Sequence, residues 1–144
     1  MSEPTRKEKV PVGRQDRVSV IRTFLYDFSV GGGAVGAVTL TALDGAASTL
    51  PAGAIITRCI TKCKTALTSG GSATVALGIT GATTAFEGAT AYTDGSYAAA
   101  NAMDLKTPSA PILVSTADSA VLATIATAAL TAGKVEVSLE IILP

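Results

Sequence analysis

Gly133-Lys134-Val135-Glu136-Val137-Ser138-Leu139-Glu140-Ile141-Ile142-Leu143-Pro144, or GKVEVSLEIILP, carries the cleanest period of two in the sequence. Val135, Val137, Leu139, Ile141 and Leu143 fall on one side of an extended backbone, and Lys134, Glu136, Ser138 and Glu140 on the other. Successive side chains of a strand point to opposite faces, so this pattern predicts a strand with one face on a core and one in water. Thr131-Ala132-Gly133 reads as the turn that leads into it.

The same alternation recurs upstream in smaller residues. Phe24, Tyr26, Phe28 and Val30 alternate with Thr23, Leu25, Asp27 and Ser29, and Ala37–Leu43 resumes the pattern after Gly31–Gly33. Asp44-Gly45 is a turn signal, and Leu50-Pro51-Ala52-Gly53 opens a strand over Ile55–Ala66. Ser69-Gly70-Gly71 reads as a hairpin-like turn into Ala73–Thr80, where Ala73, Val75, Leu77 and Ile79 share a face. Residues 81–111 show no regular period; a short helix near Thr83–Glu87 and a contact loop are the expectation there. The Ala-rich run 120–132 fits helix on propensity and strand on its Val/Ile content. Short strands with turns every eight to twelve residues predict an all-β chain: a β-sandwich or jelly-roll-like body of seven to eight strands over residues 18–144. Residues 1–17, charged and holding Pro4 and Pro11, read as an extended N-terminal arm.

Composition narrows the function. Ala 26, Thr 20 and Gly 14 make up 60 of the 144 residues, while His and Trp are absent. Small side chains lose little entropy on ordering but bury little area, so the core is expected to be thin and to gain from contacts between subunits. A catalyst working near neutral pH usually relies on an imidazole, and this chain has none. Asp94, Asp104, Asp118 and Glu87 show no pairing in their spacing, and no G-x-S-x-G nucleophile turn or calcium loop occurs. An enzyme is not expected, nor any cofactor. Cys59 and Cys63 would lie about 13 Å apart along a strand, beyond disulfide reach. With no His and no third Cys they make no zinc set, and they read as two buried free thiols.

Gly31, Gly33 and Gly36 match G-x-G-x-x-G in letters, but Val38-Thr39-Leu40-Thr41 follows, where the dinucleotide motif needs a helix. A flexible hinge between the arm-proximal and body strands is preferred. Residues 65–86 are uncharged, yet are too rich in Thr, Ser and Gly for a membrane span. No apolar stretch follows the basic start as a signal peptide requires.

The formal net charge is zero, yet residues 1–23 hold six basic groups (Arg6, Lys7, Lys9, Arg14, Arg17, Arg22) against three acidic ones. A basic arm on a slightly acidic body points to an acidic partner surface. Nucleic acid is not the expected partner, because no basic–aromatic interleaving offers bases a stack. Phe86, Tyr92 and Tyr97 are candidates for a subunit interface, or for a surface on which sugars stack.

Three stretches carry a resemblance: Leu50-Pro51-Ala52-Gly53-Ala54-Ile55-Ile56-Thr57, Ser72-Ala73-Thr74-Val75-Ala76-Leu77-Gly78, and Ala129-Leu130-Thr131-Ala132-Gly133-Lys134-Val135. Over residues 37–143 the chain resembles small structural virion proteins of tailed bacteriophages, of the decoration, cement or head-fibre type. The resemblance implies a trimeric β-structure on the capsid surface that stabilises the shell and contacts the major capsid protein. It also implies synthesis in the host cytoplasm and an arm reaching neighbouring subunits. A tail or head-fibre component and a carbohydrate-binding β-sandwich using Tyr92 and Tyr97 are the alternatives.

Overall fold

The computed structural model describes residues 18–106, 110–114 and 117–144. The terminal alternation forms the longest uninterrupted ladder of the molecule. Strand β11 (Leu130–Ile142) lies between β1 (Ser19–Asp27) and β5 (Ile55–Ser69), antiparallel to both. Short strands finish that sheet at its sides: β3 (Thr41–Ala42) on β1, with β8 (Met103–Leu105) and β9 (Ile112–Leu113) on β5. A second antiparallel sheet has the order β2 (Gly36–Thr39), β10 (Ser119–Ala126), β6 (Thr74–Ile79), β7 (Ala82–Ala91), with β4 (Thr49–Leu50) also on β10. The protein is therefore an all-β sandwich, as expected. Eleven strands appear among the described residues because five of them are only two to four residues long, too short to show a period.

The core lies between the sheets. From the first come Phe24 and Tyr26, Ile56, Cys59, Thr61, Cys63 and Leu67, and Val135, Val137, Leu139 and Ile141. From the second come Val75, Leu77, Ile79, Val121, Ala123 and Ile125, with Leu40 and Leu50. The charged side of β11 faces outward.

Three expectations change. Ser69–Gly71 does not close a hairpin: β5 and β6 belong to different sheets, so the turn carries the chain across the sandwich. Residues 81–111 hold no helix at Thr83–Glu87 but the strand β7, paired to β6 with irregular register. Leu77 opposes Glu87 and Ile79 opposes Ala82, so Thr83–Phe86 bulge across the single residue Gly78. A Cβ at Gly78 would stand 2.2 Å from the Ala82 carbonyl oxygen, so only glycine fits under the bulge.

The third concerns Gly31–Gly33, which form a pinned corner and not a flexible hinge. Asp27 caps a single helical turn, α1 (Phe28–Gly31), by accepting from the Ser29 amide. The Tyr26 hydroxyl donates to the Gly32 carbonyl at 2.7 Å, and the Leu130 amide to the Gly33 carbonyl at 2.8 Å. Gly33 is buried, and a Cβ there would lie 2.1 Å from the Leu130 oxygen. The corner lifts the chain from one sheet to the other.

Candidate functional surfaces

After β7 the chain turns and runs back along β5. The Leu67 amide donates to the Tyr97 carbonyl, the Cys63 amide to that of Ala102, and the Lys106 amide to that of Cys59, at 2.7–2.9 Å. This run draws Tyr97 into the core, where it is fully buried, and Phe86 enters beside it at 7% exposure. Of the three aromatic candidates, only Tyr92 is partly exposed. It borders an open groove of about 380 Å³ together with Gly71–Thr74, Ala91 and Thr93. Phe86 and Tyr97 thus serve this chain's own core, and the structure does not bring the three onto one surface.

Around Tyr97 sits a polar group that the sequence did not single out. Its hydroxyl donates to Glu87 Oε1, and the Lys106 ammonium donates to Glu87 Oε2, to Asp104 Oδ2 at 2.7 Å and to Ser96 Oγ at 3.3 Å. The Glu87 and Lys106 side chains are 10% and 9% exposed. Glu87 belongs to the second sheet and Lys106 follows the β8 edge of the first, so the pair clasps the sandwich along one open side. Burial pulls the Lys106 ammonium down, but the hydrogen bonds and charges of Asp104 and Glu87 outweigh it and leave its pKa raised. Burial, with the Glu87 hydrogen bond, pushes the Tyr97 phenol well up. Burial also raises the neighbouring Cys59 thiol to about 12, the Glu87 charge adding to the effect. A thiol so displaced is not a nucleophile at neutral pH. The arrangement holds two layers together.

The basic candidates divide. Arg6, Lys7, Lys9, Arg14 and Arg17 lie outside the described residues. Arg22 sits on β1 and spends its guanidinium inside the chain. It bonds Asp44 at 3.1 Å and the carbonyls of Thr49 at 3.1 Å and Ala47 at 2.6 Å, and lies over the Phe24 ring. The Asp44 carboxyl is held below the usual carboxylate range by the Arg22 hydrogen bond and by the Ala46 amide. Arg22 therefore ties the β3–β4 loop to β1. Both cysteines are buried and free. Among the described residues no cluster of three His, Cys, Asp or Glu could hold a metal, and no helix is long and apolar enough to cross a membrane.

No family model and no curated protein matches this chain. Solved structures do. A chain of the cyanophage Pam1 capsid asymmetric unit superposes with a TM-score of 0.65 at 19% identity, covering 99% of this chain and 100% of that one. The chain shares its fold with a phage capsid component. A chain of the acid-stable capsid of Helicobacter pylori bacteriophage KHP30 follows, at a TM-score of 0.60 and 16% identity over 88% of this chain and 89% of that one. At these identities the likeness is one of fold.

Proposed function

We propose that this chain is a structural component of a bacteriophage virion that sits on the capsid and stabilises the shell, with no enzymatic role. The observation that carries this reading is the end-to-end match to a whole chain of the Pam1 capsid. Two chains matched over essentially their full lengths are of similar size, so the likeness is to a small component. The chemistry of the molecule agrees: the buried Glu87 and Lys106 are paired with each other, and the Cys59 thiol is held protonated.

Such a protein acts by mass action. It binds the assembled shell and not the dissociated subunits, and so shifts the equilibrium toward the shell. Residues 1–17, with Arg6, Lys7, Lys9, Arg14 and Arg17, supply charge-assisted contacts to acidic patches of the major capsid protein. The sandwich supplies the bulk, as a trimer in this reading. Tyr97 is buried, so a sugar-stacking surface would rest on Tyr92 alone, which disfavours the carbohydrate-binding reading.

The test is co-sedimentation with shells that lack the protein. The full chain is expected to sediment with them, and a chain beginning at Val18 to stay in the supernatant while keeping its β-rich circular dichroism. Full occupancy by the shortened chain would remove the arm from the account. A full chain that bound tails and not shells would move the protein to the tail or fibre.

A further inference from the structure

The outer face of the first sheet carries a pattern that the proposed function leaves unused. Cross-strand register arranges it in rows. One row runs Thr23, Ser138, Ile60, Leu105 across β1, β11, β5 and β8, with Leu43 beside Thr23 just past β3, and carries no charge. The next row toward the chain ends is Ile21, Glu140, Arg58; the next away from them is Leu25, Glu136, Lys62, Met103. Ile21, Met103 and Leu105 are 72%, 64% and 61% exposed. An uncharged band flanked by charged rows is the anatomy of an interface with an apolar centre and a polar rim.

Across these three rows the charges stand in columns of opposite sign; one row further, Lys134 of β11 pairs with Asp27 of β1, and Lys64 extends the β5 column. The β11 column presents Glu136 and Glu140, and the β5 column beside it presents Arg58 and Lys62. Arg58 lies 4.0 Å from Glu140, and Glu136 lies 3.6 Å from Lys64. Consider a two-fold axis parallel to the strands, lying between β11 and β5. It lays the β5 column of one copy over the β11 column of another at the same height. Arg58 then meets Glu140 of the second copy, Lys62 meets Glu136, and Ile60 meets Ser138. Outside them, Leu105 meets Thr23 and Met103 meets Leu25. A two-fold axis across the strands would instead set Glu140 against Glu136. The same axis brings Lys64 near Lys134 of the second copy, a like-charge meeting outnumbered by the Arg58–Glu140 and Lys62–Glu136 pairs, so the three rows are complementary to themselves in one orientation, as an isologous contact requires.

We propose that this protein pairs face to face with a second copy of itself through the outer surface of β1, β11, β5 and β8. Sheets packed in this way sit about 10 Å apart with their strands nearly aligned. β1, β11 and β5 over about nine residues, with the three residues of β8, cover roughly 500 Å² per partner, or about 1,000 Å² in total, at the lower bound of specific interfaces. The pair is weak and forms at high local concentration. The inference does not depend on the virion reading: trimers joined through this face give six copies, and single chains give two.

The test is the solution mass at concentrations up to about 0.5 mM, where an interface of this size is populated. An even number of copies is expected, such as about 29 kDa, twice the 14.3 kDa chain. Leu105→Lys, at an exposed position, is expected to halve that mass and leave the β-rich circular dichroism unchanged. The exchanged variant R58E/E140R keeps its internal ion pair. It is expected to associate with itself but not with ¹⁵N-labelled wild-type chain in native mass spectra. A wild type that is monomeric or only trimeric overturns the proposal. So does a Leu105→Lys mass equal to wild type, or free mixing of R58E/E140R with wild type. Shell co-sedimentation is read separately, so either idea can fail without the other.

Discussion

Lys106 is the residue on which most depends. It neutralises a carboxylate that is almost out of water, and it does so between two sheets. Lys106→Met strands Glu87 as an unpaired buried charge and is expected to cost about 3–5 kcal/mol in urea unfolding. Adding Glu87→Gln should recover much of that loss, since the penalty lies in the orphaned charge; a double variant no more stable than the single would refute this account. The pH profile follows from the same neighbourhood. Cys59 and Tyr26 are raised to about 12, and Lys106 and Tyr97 are raised as well. Each therefore holds its proton in the folded chain after the unfolded chain has lost it. Stability from these groups is complete below their unfolded values and declines as pH climbs toward 12. Asp27, Asp44 and Asp94 are lowered, chiefly by hydrogen bonds, so their contribution is present above 3.8 and is lost as pH falls through their folded values. The urea midpoint should be level between about pH 5 and 8 and fall above about 9. A midpoint unchanged at pH 10.5 would contradict the burial of these groups.

At the scale of elements, the pinned corner matters as much as any strand. Gly33→Ala drives a methyl into the Leu130 carbonyl and should destabilise the protein by about 1–3 kcal/mol, the usual cost of overpacking. Faster amide exchange at the start of β11 would locate the damage; unchanged stability would mean that the corner yields. The comparison with the sequence is instructive here. β11 and β1 were legible because their Val, Ile, Leu and aromatic residues alternate on a half-buried face, and β6 because Val75, Leu77 and Ile79 alternate with smaller residues though both its faces are buried. β7 was not legible, because its Ala, Thr and Gly residues show no contrast and its bulges shift the side chains out of phase. The Gly31–Gly36 run was legible as a special backbone and misread as a loose one, since its need for glycine comes from Leu130, nearly a hundred residues away in the chain. The clasp was out of reach for a similar reason. Glu87, Ser96, Tyr97, Asp104 and Lys106 carry no motif, and only the return of the chain along β5 collects them. The aromatic candidates read as one surface, and nothing in their spacing shows that the chain takes Phe86 and Tyr97 into its own core.

At the scale of the whole molecule, the crossings between sheets make the sandwich one cooperative unit, with β11 at the centre of its first layer. β1 begins where β11 ends: Ser19 faces Ile142, and the Leu143 amide bonds the Val18 carbonyl. The entry to the body and its last residue therefore share one pole. The exposed turn Gly70–Ser72 lies beyond the opposite end of β11, about 40 Å away by strand rise. That polarity matters to anyone using the protein as a display scaffold. A peptide appended after Pro144 emerges beside Val18, at the pole where β1 begins. A peptide spliced at Gly70–Gly71 projects from the far pole, and a rearranged chain could take its new ends there after a short linker joins the old ones.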